Sequence, residues 1–123
     1  IEDMYGPPRN AFKNIFVLNH FPLWMFNSAG QNITPDKLKK SSAEDIFKIC
    51  NGYLSDIISI LNAKKIIGVG KYANKMANKA IKENNLEGII IEEIPHPSPA
   101  NPLANKDKGA LWKKISKSVI MGK

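Results

Sequence analysis

Three short apolar runs, separated by segments with helical spacing, constrain the fold of this chain more than any other feature. The runs cover residues 15–18, 65–70 and 88–94, and each has Ile, Val, Leu or Phe at its centre. Apolar runs of this length are typical of strands buried on both faces of a parallel sheet. Residues 43–61 and 71–83 lie between the runs and predict helices. This alternation predicts an α/β fold, with three α/β/α layers around a central parallel sheet.

Helical spacing of apolar residues supports each predicted helix. The longest helix, residues 43–61, is preceded by Ser41 and Ser42, which with Glu44 and Asp45 predict an N-cap and a capping box. The inner faces are expected to carry Ile46, Cys50, Tyr53, Leu54, Ile57, Ile58 and Leu61 in this helix, Tyr72, Ala73, Met76, Ala77, Ala80 and Ile81 in the second, and Leu111, Trp112, Ile115, Val119 and Ile120 in a closing helix.

The charge balance points to polyanionic partners. The 123-residue chain carries 18 Lys and Arg against 11 Asp and Glu, a net charge of +7. A basic chain favours nucleic acid first and an anionic membrane surface second, although a merely soluble lysine-rich protein has the same balance. The length predicts a single domain over residues 1–123, and no apolar run is long enough to cross a bilayer.

Cysteine and histidine usage argues against a disulfide framework or a metal site. The single cysteine, Cys50, cannot form an internal disulfide, and its apolar neighbours predict a buried side chain. A free thiol fits a reducing compartment. The two histidines are His20 and His96, and neither has a second histidine at metal-ligand spacing. We therefore expect no metal site.

Polar residues follow the apolar runs, at the places where sites form in open α/β sheets. Asn19 and His20 follow the first run, and His96 follows the third. The amide of Asn19 offers both a donor and an acceptor, which suits either a turn or the edge of a base such as uracil. The sequence GVG at residues 68–70 lacks the third glycine of a dinucleotide fingerprint, so it predicts close packing of strand and helix.

The loop after the third run is stiffened by proline. Residues 96–106 read HPSPANPLANK, and each proline restricts the backbone at its own position and at the preceding one. A restrained loop loses little entropy when it grips a partner. Asn101, Asn105 and Lys106 are candidates for contacts to phosphates or to a displaced base, and the Pro-Leu pair at 102–103 for an apolar wedge between bases. A solvated surface loop with Asx turns is the alternative.

Four segments resemble, in order, the motifs of the single-strand-selective monofunctional uracil-DNA glycosylases, part of the uracil-DNA glycosylase superfamily. The longest is the loop just described, which matches the family's histidine motif of HPSP, any residue, NP, any residue and ANK. The other three resemble FVxN…PL, GRNLTP and VGVGRxA, and read FVLN at 16–19 with PL at 22–23, GQNITP at 30–35 and IGVGKYA at 67–73. The resemblance covers nearly the whole chain from Phe16 onward.

The resemblance implies a uracil-DNA glycosylase-like fold and a role in base excision repair. By it, Asn19 would read the Watson–Crick edge of a flipped uracil, or of an oxidised or modified uracil. His96 would hydrogen-bond uracil O2 while the N-glycosidic bond is hydrolysed to leave an abasic site. It implies a monomeric nuclear hydrolase acting on single- or double-stranded DNA, with no cofactor, metal or membrane partner. Its DNA-binding residues would be Pro97, Ser98, Pro99, Ala100, Asn101, Pro102, Leu103, Asn105 and Lys106.

Three departures from the family pattern bear on activity. The family's N-terminal glycine-rich motif, roughly GMNPGPFGM, carries the asparagine that positions the attacking water and has no counterpart here. We therefore expect the chain to be the C-terminal part of such an enzyme or a truncated copy, inactive if nothing else positions the water. Ala100 stands where the family commonly has Arg, which should weaken the grip on DNA. Asp107 and Lys108 precede Gly109 where the family reads ANKGW, which alters the passage from loop to helix.

These departures leave other hypotheses open. One is a non-catalytic DNA-binding remnant of the same fold, which would show salt-dependent binding and no excision. Another is an α/β domain with an unrelated small-molecule role, which would show no DNA affinity beyond that of a generic basic protein. The length of the histidine motif argues against the latter.

Overall fold

The computed structural model describes residues 1–122, without the side chain of Asp36, as a mixture of helices and short strands. The strands are β1 Met25–Phe26, β2 Asn32–Ile33, β3 Lys65–Val69 and β4 Ile90–Ile94. The helices are α1 Glu2–Tyr5, α2 Pro8–Ala11, α3 Lys40–Ile60, α4 Lys71–Glu83, α5 Pro102–Asn105 and α6 Ala110–Met121, with 3₁₀ turns at Pro35–Lys37 and Lys106–Gly109. None of the helices in this described part has both the length and the apolar character needed to cross a bilayer.

Strands β3 and β4 form a parallel pair, as the sequence predicts. Their register places Lys65 opposite Ile90 and Val69 opposite Ile94. Helix α4 makes the crossover that a parallel pair requires, and it contacts both strands, while α6 contacts β4 and α3 contacts α4. A mixed α/β fold with a small parallel sheet is thus confirmed. The larger three-layer α/β/α sheet stays a prediction, since residues 1–122 contribute two parallel strands to it.

The predicted first strand, residues 15–18, is wrong. This segment has no regular secondary structure, and Phe16 and Val17 are 59% and 66% exposed. An apolar run becomes a strand only where a neighbour pairs with its backbone N–H and C=O groups. The paired strands closest to it are β1 and β2, which form a short antiparallel hairpin. Strand β2 lies within residues 27–40, whose polar composition is typical of a loop.

Helix α3 begins earlier than predicted, at Lys40 rather than residue 43, and ends at Ile60. Its N-cap is Lys39, which makes no side-chain capping hydrogen bond, so the predicted capping box is wrong. Ser41 and Ser42 lie inside the first turn, beyond the position from which a hydroxyl can cap the helix. The serines therefore predict a later start for the helix than the backbone adopts.

The core lies where α3, α4 and β4 meet. Ile58, Met76, Ala77, Ala80 and Ile94 are each 6% exposed or less. Helix α4 spans the residues that the apolar spacing predicts, because its small and apolar side chains all face this core. The closing helix is confirmed as α6.

Glycine sets how closely α4 approaches β3. A Cβ at Gly68 would lie 2.5 Å from the backbone nitrogen of Asn74 in α4, which no side chain could accommodate without a shift. Gly70, the N-cap of α4, has a φ of 86°, a conformation that glycine adopts at little cost. The interpretation of GVG at residues 68–70 as a close strand-to-helix packing element is therefore confirmed.

Cys50 is buried, as the sequence predicts. Its side chain is 7% exposed on α3, and burial raises the pKa of the thiol. A thiol of this kind stays protonated near neutral pH and behaves as a small apolar side chain.

Candidate functional site

His96 lies at the carboxyl end of β4, against the first turn of α4. The Gly70 backbone nitrogen donates to the Ile94 carbonyl at 2.8 Å, which joins the end of the strand to the start of the helix. A Cβ added to Gly70 would be 3.2 Å from the Cβ of His96 and 3.6 Å from its Cδ2. The exposed imidazole is therefore placed beside a helix N-terminus by a glycine that leaves room for it.

Side chains outside the strand hold the backbone on both sides of His96. The Trp112 indole in α6 donates to the Pro95 carbonyl at 2.6 Å. The Asn101 amide donates to the His96 carbonyl at 2.8 Å, and its Oδ1 accepts from the Leu103 backbone nitrogen at 3.0 Å as the N-cap of α5. The sequence predicts Asn101 as a contact to DNA, and the structure shows that it also closes the loop on itself.

The rest of the proline-rich loop presents most of its side chains to solvent. Ser98 organises its tip, since its carbonyl accepts from the Asn101 backbone at 2.8 Å and its hydroxyl from the Ala100 backbone at 3.2 Å. The amide of Asn105 donates to the carbonyl of Pro99. Among the predicted DNA-binding residues, Ser98 and Asn101 are half-buried, and the exposed ones are Pro97, Pro99, Ala100, Pro102, Leu103, Asn105 and Lys106.

The two additional residues before Gly109 are accommodated by a left-handed turn. Asp107, Lys108 and Gly109 have φ values of 51°, 54° and 84°. Left-handed backbone costs an L-residue roughly 1–2 kcal/mol, so a run of this kind needs support from its surroundings. The turn connects α5 to α6 and leaves the Asn101 and Trp112 hydrogen bonds around His96 in place.

Asn19 and its neighbour His20 have opposite environments. Asn19 is exposed in a segment without regular secondary structure, whereas His20 is 9% exposed. The His20 ring packs at 5.6 Å from the Tyr72 ring and at 6.2 Å from the Phe47 ring. The exposed Asn19 amide is thus attached to a buried anchor.

His20 is part of a series of hydrogen-bonded side chains. His20 Nε2 lies 2.8 Å from Asn51 Oδ1 in α3, and His20 Nδ1 lies 3.0 Å from the Tyr72 hydroxyl in α4. Asn51, itself 1% exposed, donates from Nδ2 to Glu83 Oε2 at 3.0 Å. The sequence singles out His20 only as a polar residue after the first apolar run and gives Asn51 and Glu83 no role, because no local spacing connects residues that lie in a loop and two different helices.

The donor and acceptor roles in this series of hydrogen bonds follow from the group at its end. The Glu83 carboxylate only accepts, so the Asn51 amide nitrogen faces it and the Asn51 oxygen faces His20. His20 Nε2 must then carry the proton, and Nδ1 accepts from Tyr72. Burial lowers the pKa of His20 below 6.5, with the Asn51 hydrogen bond opposing that shift, so the neutral imidazole is the stable form at neutral pH.

The structure connects the predicted catalytic residue His96 and the predicted substrate-binding residue Asn19 to the first turn of α4. His96 packs against Gly70, and Asn19 is adjacent to His20, which is bonded to Tyr72 two residues further along. Exposed Lys71 lies between them on the same turn. Within residues 1–122, no group of three His, Cys, Asp or Glu side chains is arranged to hold a metal ion.

Three curated proteins similar to this chain are named single-strand selective monofunctional uracil-DNA glycosylase. The protein of Bos taurus is 31% identical over 115 residues, 94% of this chain and 40% of its own length. Those of Rattus norvegicus and Mus musculus are 34% and 33% identical over 101 residues, 82% of this chain and 36% of theirs. The chain spans about two fifths of the length of these relatives, which fits a C-terminal portion. No family model matches it.

Proposed function

We propose that this chain forms the part of a uracil-DNA glycosylase that carries the histidine loop and reads the base. Its motifs and overall similarity show that it is a relative of the single-strand-selective monofunctional uracil-DNA glycosylases. The observation that carries the proposal is the setting of His96. It is an exposed imidazole, held by backbone contacts on both sides, at the start of a proline-restrained loop and beside a helix N-terminus.

In the proposed reaction, His96 stabilises the departing base. Cleavage of the N-glycosidic bond leaves cationic character on the sugar and negative charge on uracil, concentrated on O2 and O4. A donor already aimed at O2 stabilises that charge without reorganising in the transition state. The Asn101 and Trp112 hydrogen bonds serve this role, because they hold the backbone from which the imidazole projects.

Asn19 is proposed to select the base. Its amide can donate to O4 of uracil and accept from N3–H, whereas cytosine presents the reverse order, a donor at N4 and an acceptor at N3. An exposed side chain attached to the buried His20 suits this role, since it meets solvent while its backbone is anchored.

The proline-rich loop is proposed to bind the DNA around the flipped nucleotide. Leu103 is 42% exposed in α5, and an apolar side chain there can fill the space that a flipped base leaves in the stack. Exposed Lys106 and Lys71 supply positive charge for the backbone phosphates. Ala100 removes one cationic contact that the family commonly has, so we propose a weaker grip on DNA than in those relatives.

The test is excision of uracil by the complete protein in which these residues occur. It is incubated with a single-stranded uracil oligonucleotide under single-turnover conditions, and abasic sites are cleaved with alkali and counted. We expect His96→Ala to slow excision by at least about 100-fold, the loss typical of removing one donor to a developing anion. DNA binding should change little.

Glu87→Ala is the matched control, because Glu87 is exposed in the turn before β4 and has no place in the proposed site. Excision that is unchanged in His96→Ala would overturn the role given to His96. Salt-dependent DNA binding without any excision by the unmodified protein would instead favour a non-catalytic remnant of the fold.

A further inference from the structure

We propose that Tyr72, His20, Asn51 and Glu83 form a positioning relay that sets the Asn19 amide in relation to His96. The proposal deepens the proposed function and rests on it for its effect on base excision. It adds residues for which the sequence motifs give no role.

The relay joins three parts of the chain that are distant in sequence. His20 belongs to an irregular segment, Asn51 to α3, and Tyr72 and Glu83 to opposite ends of α4. The bonded pairs are separated by 52, 31 and 32 residues along the chain. No local preference brings these groups together, so each bond reports on the tertiary arrangement.

Both ring nitrogens of His20 are bonded, which fixes the imidazole in position and in tautomer. Its Nε2–H donates to Asn51 at 2.8 Å, and its Nδ1 accepts from Tyr72 at 3.0 Å. Asn51 is in turn held by Glu83 at 3.0 Å. A buried group bonded on both sides cannot rotate without breaking a bond, so it transmits the position of α3 and α4 to its own backbone.

Asn19 needs this anchor because its segment lacks a sheet ladder. Residues 15–19 form no strand, and Phe16 and Val17 are mostly exposed, so backbone pairing does not hold the approach to Asn19 and the half-buried side chains of Ile15 and Leu18 pack it only in part. The His20 side chain is the buried, bonded element next to it. His20 is bonded to Tyr72 in the first turn of α4, and Gly70 at the start of the same turn packs against His96.

The relay therefore makes α4 the common reference for the base-reading amide and the catalytic histidine. A displacement of about 1 Å in a reacting group can cost roughly 100-fold in rate. His20, Asn51, Tyr72 and Glu83 would act as positioning residues, which contact each other and not the substrate.

The test compares two substitutions of His20 in the complete protein. His20→Phe keeps a ring of similar size and removes both hydrogen bonds, whereas His20→Gln keeps an amide N–H directed at Asn51. We expect His20→Phe to slow single-turnover uracil excision by roughly 10- to 100-fold. It should also lower the ratio of uracil excision to cytosine excision. His20→Gln should recover a large part of both.

Cys50→Ala is the matched control, since Cys50 is the buried neighbour of Asn51 in α3 and has no place in the relay. It should lose stability without losing the preference for uracil. Thermal melting of each variant shows that the assays use folded protein. A folded His20→Phe variant with unchanged rate and unchanged base preference would overturn the proposal.

A second measurement decides the relay independently of catalysis. In NMR relaxation experiments, the backbone amide of Asn19 should have an order parameter near that of rigid backbone, about 0.85, and should fall below about 0.6 in His20→Phe. If the unmodified protein excises no uracil, the proposed function fails, and this order parameter still tests the relay. An Asn19 amide that is equally mobile in both proteins would overturn it.

Discussion

The two histidines of this chain occupy contrasting environments that suit them to different tasks. His20 is buried and both of its ring nitrogens are bonded, so it could move a proton only by breaking the contacts that hold it. His96 is exposed, and the hydrogen bonds around it fall on the backbone of its own loop rather than on the ring. These environments support the proposed division of roles, in which His96 stabilises the developing base anion and His20 holds the structure around Asn19.

At the same scale, the identity of Asn19 should decide which base is excised. We expect Asn19→Asp to reduce uracil excision and to admit cytosine, because a carboxylate accepts from the cytosine amino group and repels O4 of uracil. The change in preference should be worth about 1–3 kcal/mol, the usual range for one base-edge contact. Single-turnover assays with matched uracil and cytosine oligonucleotides measure it.

Asn14→Asp introduces the same charge at another exposed position in the N-terminal segment and serves as the control. It should leave the preference for uracil unaltered. Strict uracil excision by Asn19→Asp would contradict the role of Asn19 in reading the base.

Among the elements, α4 connects the residues of the proposed site. Its N-cap Gly70 faces His96, its first turn carries Tyr72, and its last residue Glu83 closes the relay. Gly68 lets the same helix lie directly against β3. Because α4 is the crossover of the parallel pair, the sheet sets its position. The residues that α4 carries or contacts are therefore positioned by the sheet as well.

We expect Gly68→Ala to destabilise the protein by about 1–3 kcal/mol, the usual cost of overpacking. The new Cβ would meet backbone atoms of Asn74 at 2.5–2.6 Å, and backbone in a packed helix cannot turn aside as a flexible side chain can. Urea unfolding measures the free-energy difference between the two proteins.

Gly52→Ala is the counterpart in α3, where an added Cβ meets nothing within 4 Å. It should stabilise the helix by about 0.5–1 kcal/mol, since alanine has the higher helix propensity. Equal effects of the two substitutions would show that α4 can move away from β3, contrary to the close packing of Gly68 against Asn74.

At the scale of the whole molecule, the relay connects the N-terminal segment to helices α3 and α4. It also makes the free energy of unfolding depend on pH. The folded protein holds His20 neutral, because burial lowers its pKa below the ordinary value of 6.5. The unfolded chain binds a proton at that ordinary value. The contribution of His20 is thus fully present above about pH 6.5 and is lost as the pH falls through the lower folded pKa.

We therefore expect the free energy of unfolding to decline between about pH 7 and 5, and to decline less steeply in His20→Gln, which has no group that titrates there. Urea denaturation of both proteins at several pH values measures the two slopes. Parallel slopes would show that His20 titrates alike in the folded and unfolded states.

The sequence and the structure agree wherever the signal is local. The spacing of Met76, Ala77 and Ala80 predicts α4 over the residues observed, and the apolar runs of β3 and β4 predict the parallel pair. Helical periodicity needs only neighbours three and four residues apart, and proline restricts its own backbone wherever it stands. The position of His96 at the start of a restrained loop after a strand could be predicted for the same reason.

Only the tertiary structure decided the rest. The apolar run at residues 15–18 has the composition of a strand and forms none in residues 1–122, because a strand exists through a partner that its own sequence does not supply. The relay through His20 likewise depends on groups brought together from far along the chain, and α3 begins at Lys40 with no side-chain cap to mark its start. Periodicity and proline act within a few residues, whereas strand pairing and buried polar contacts are settled when the core closes.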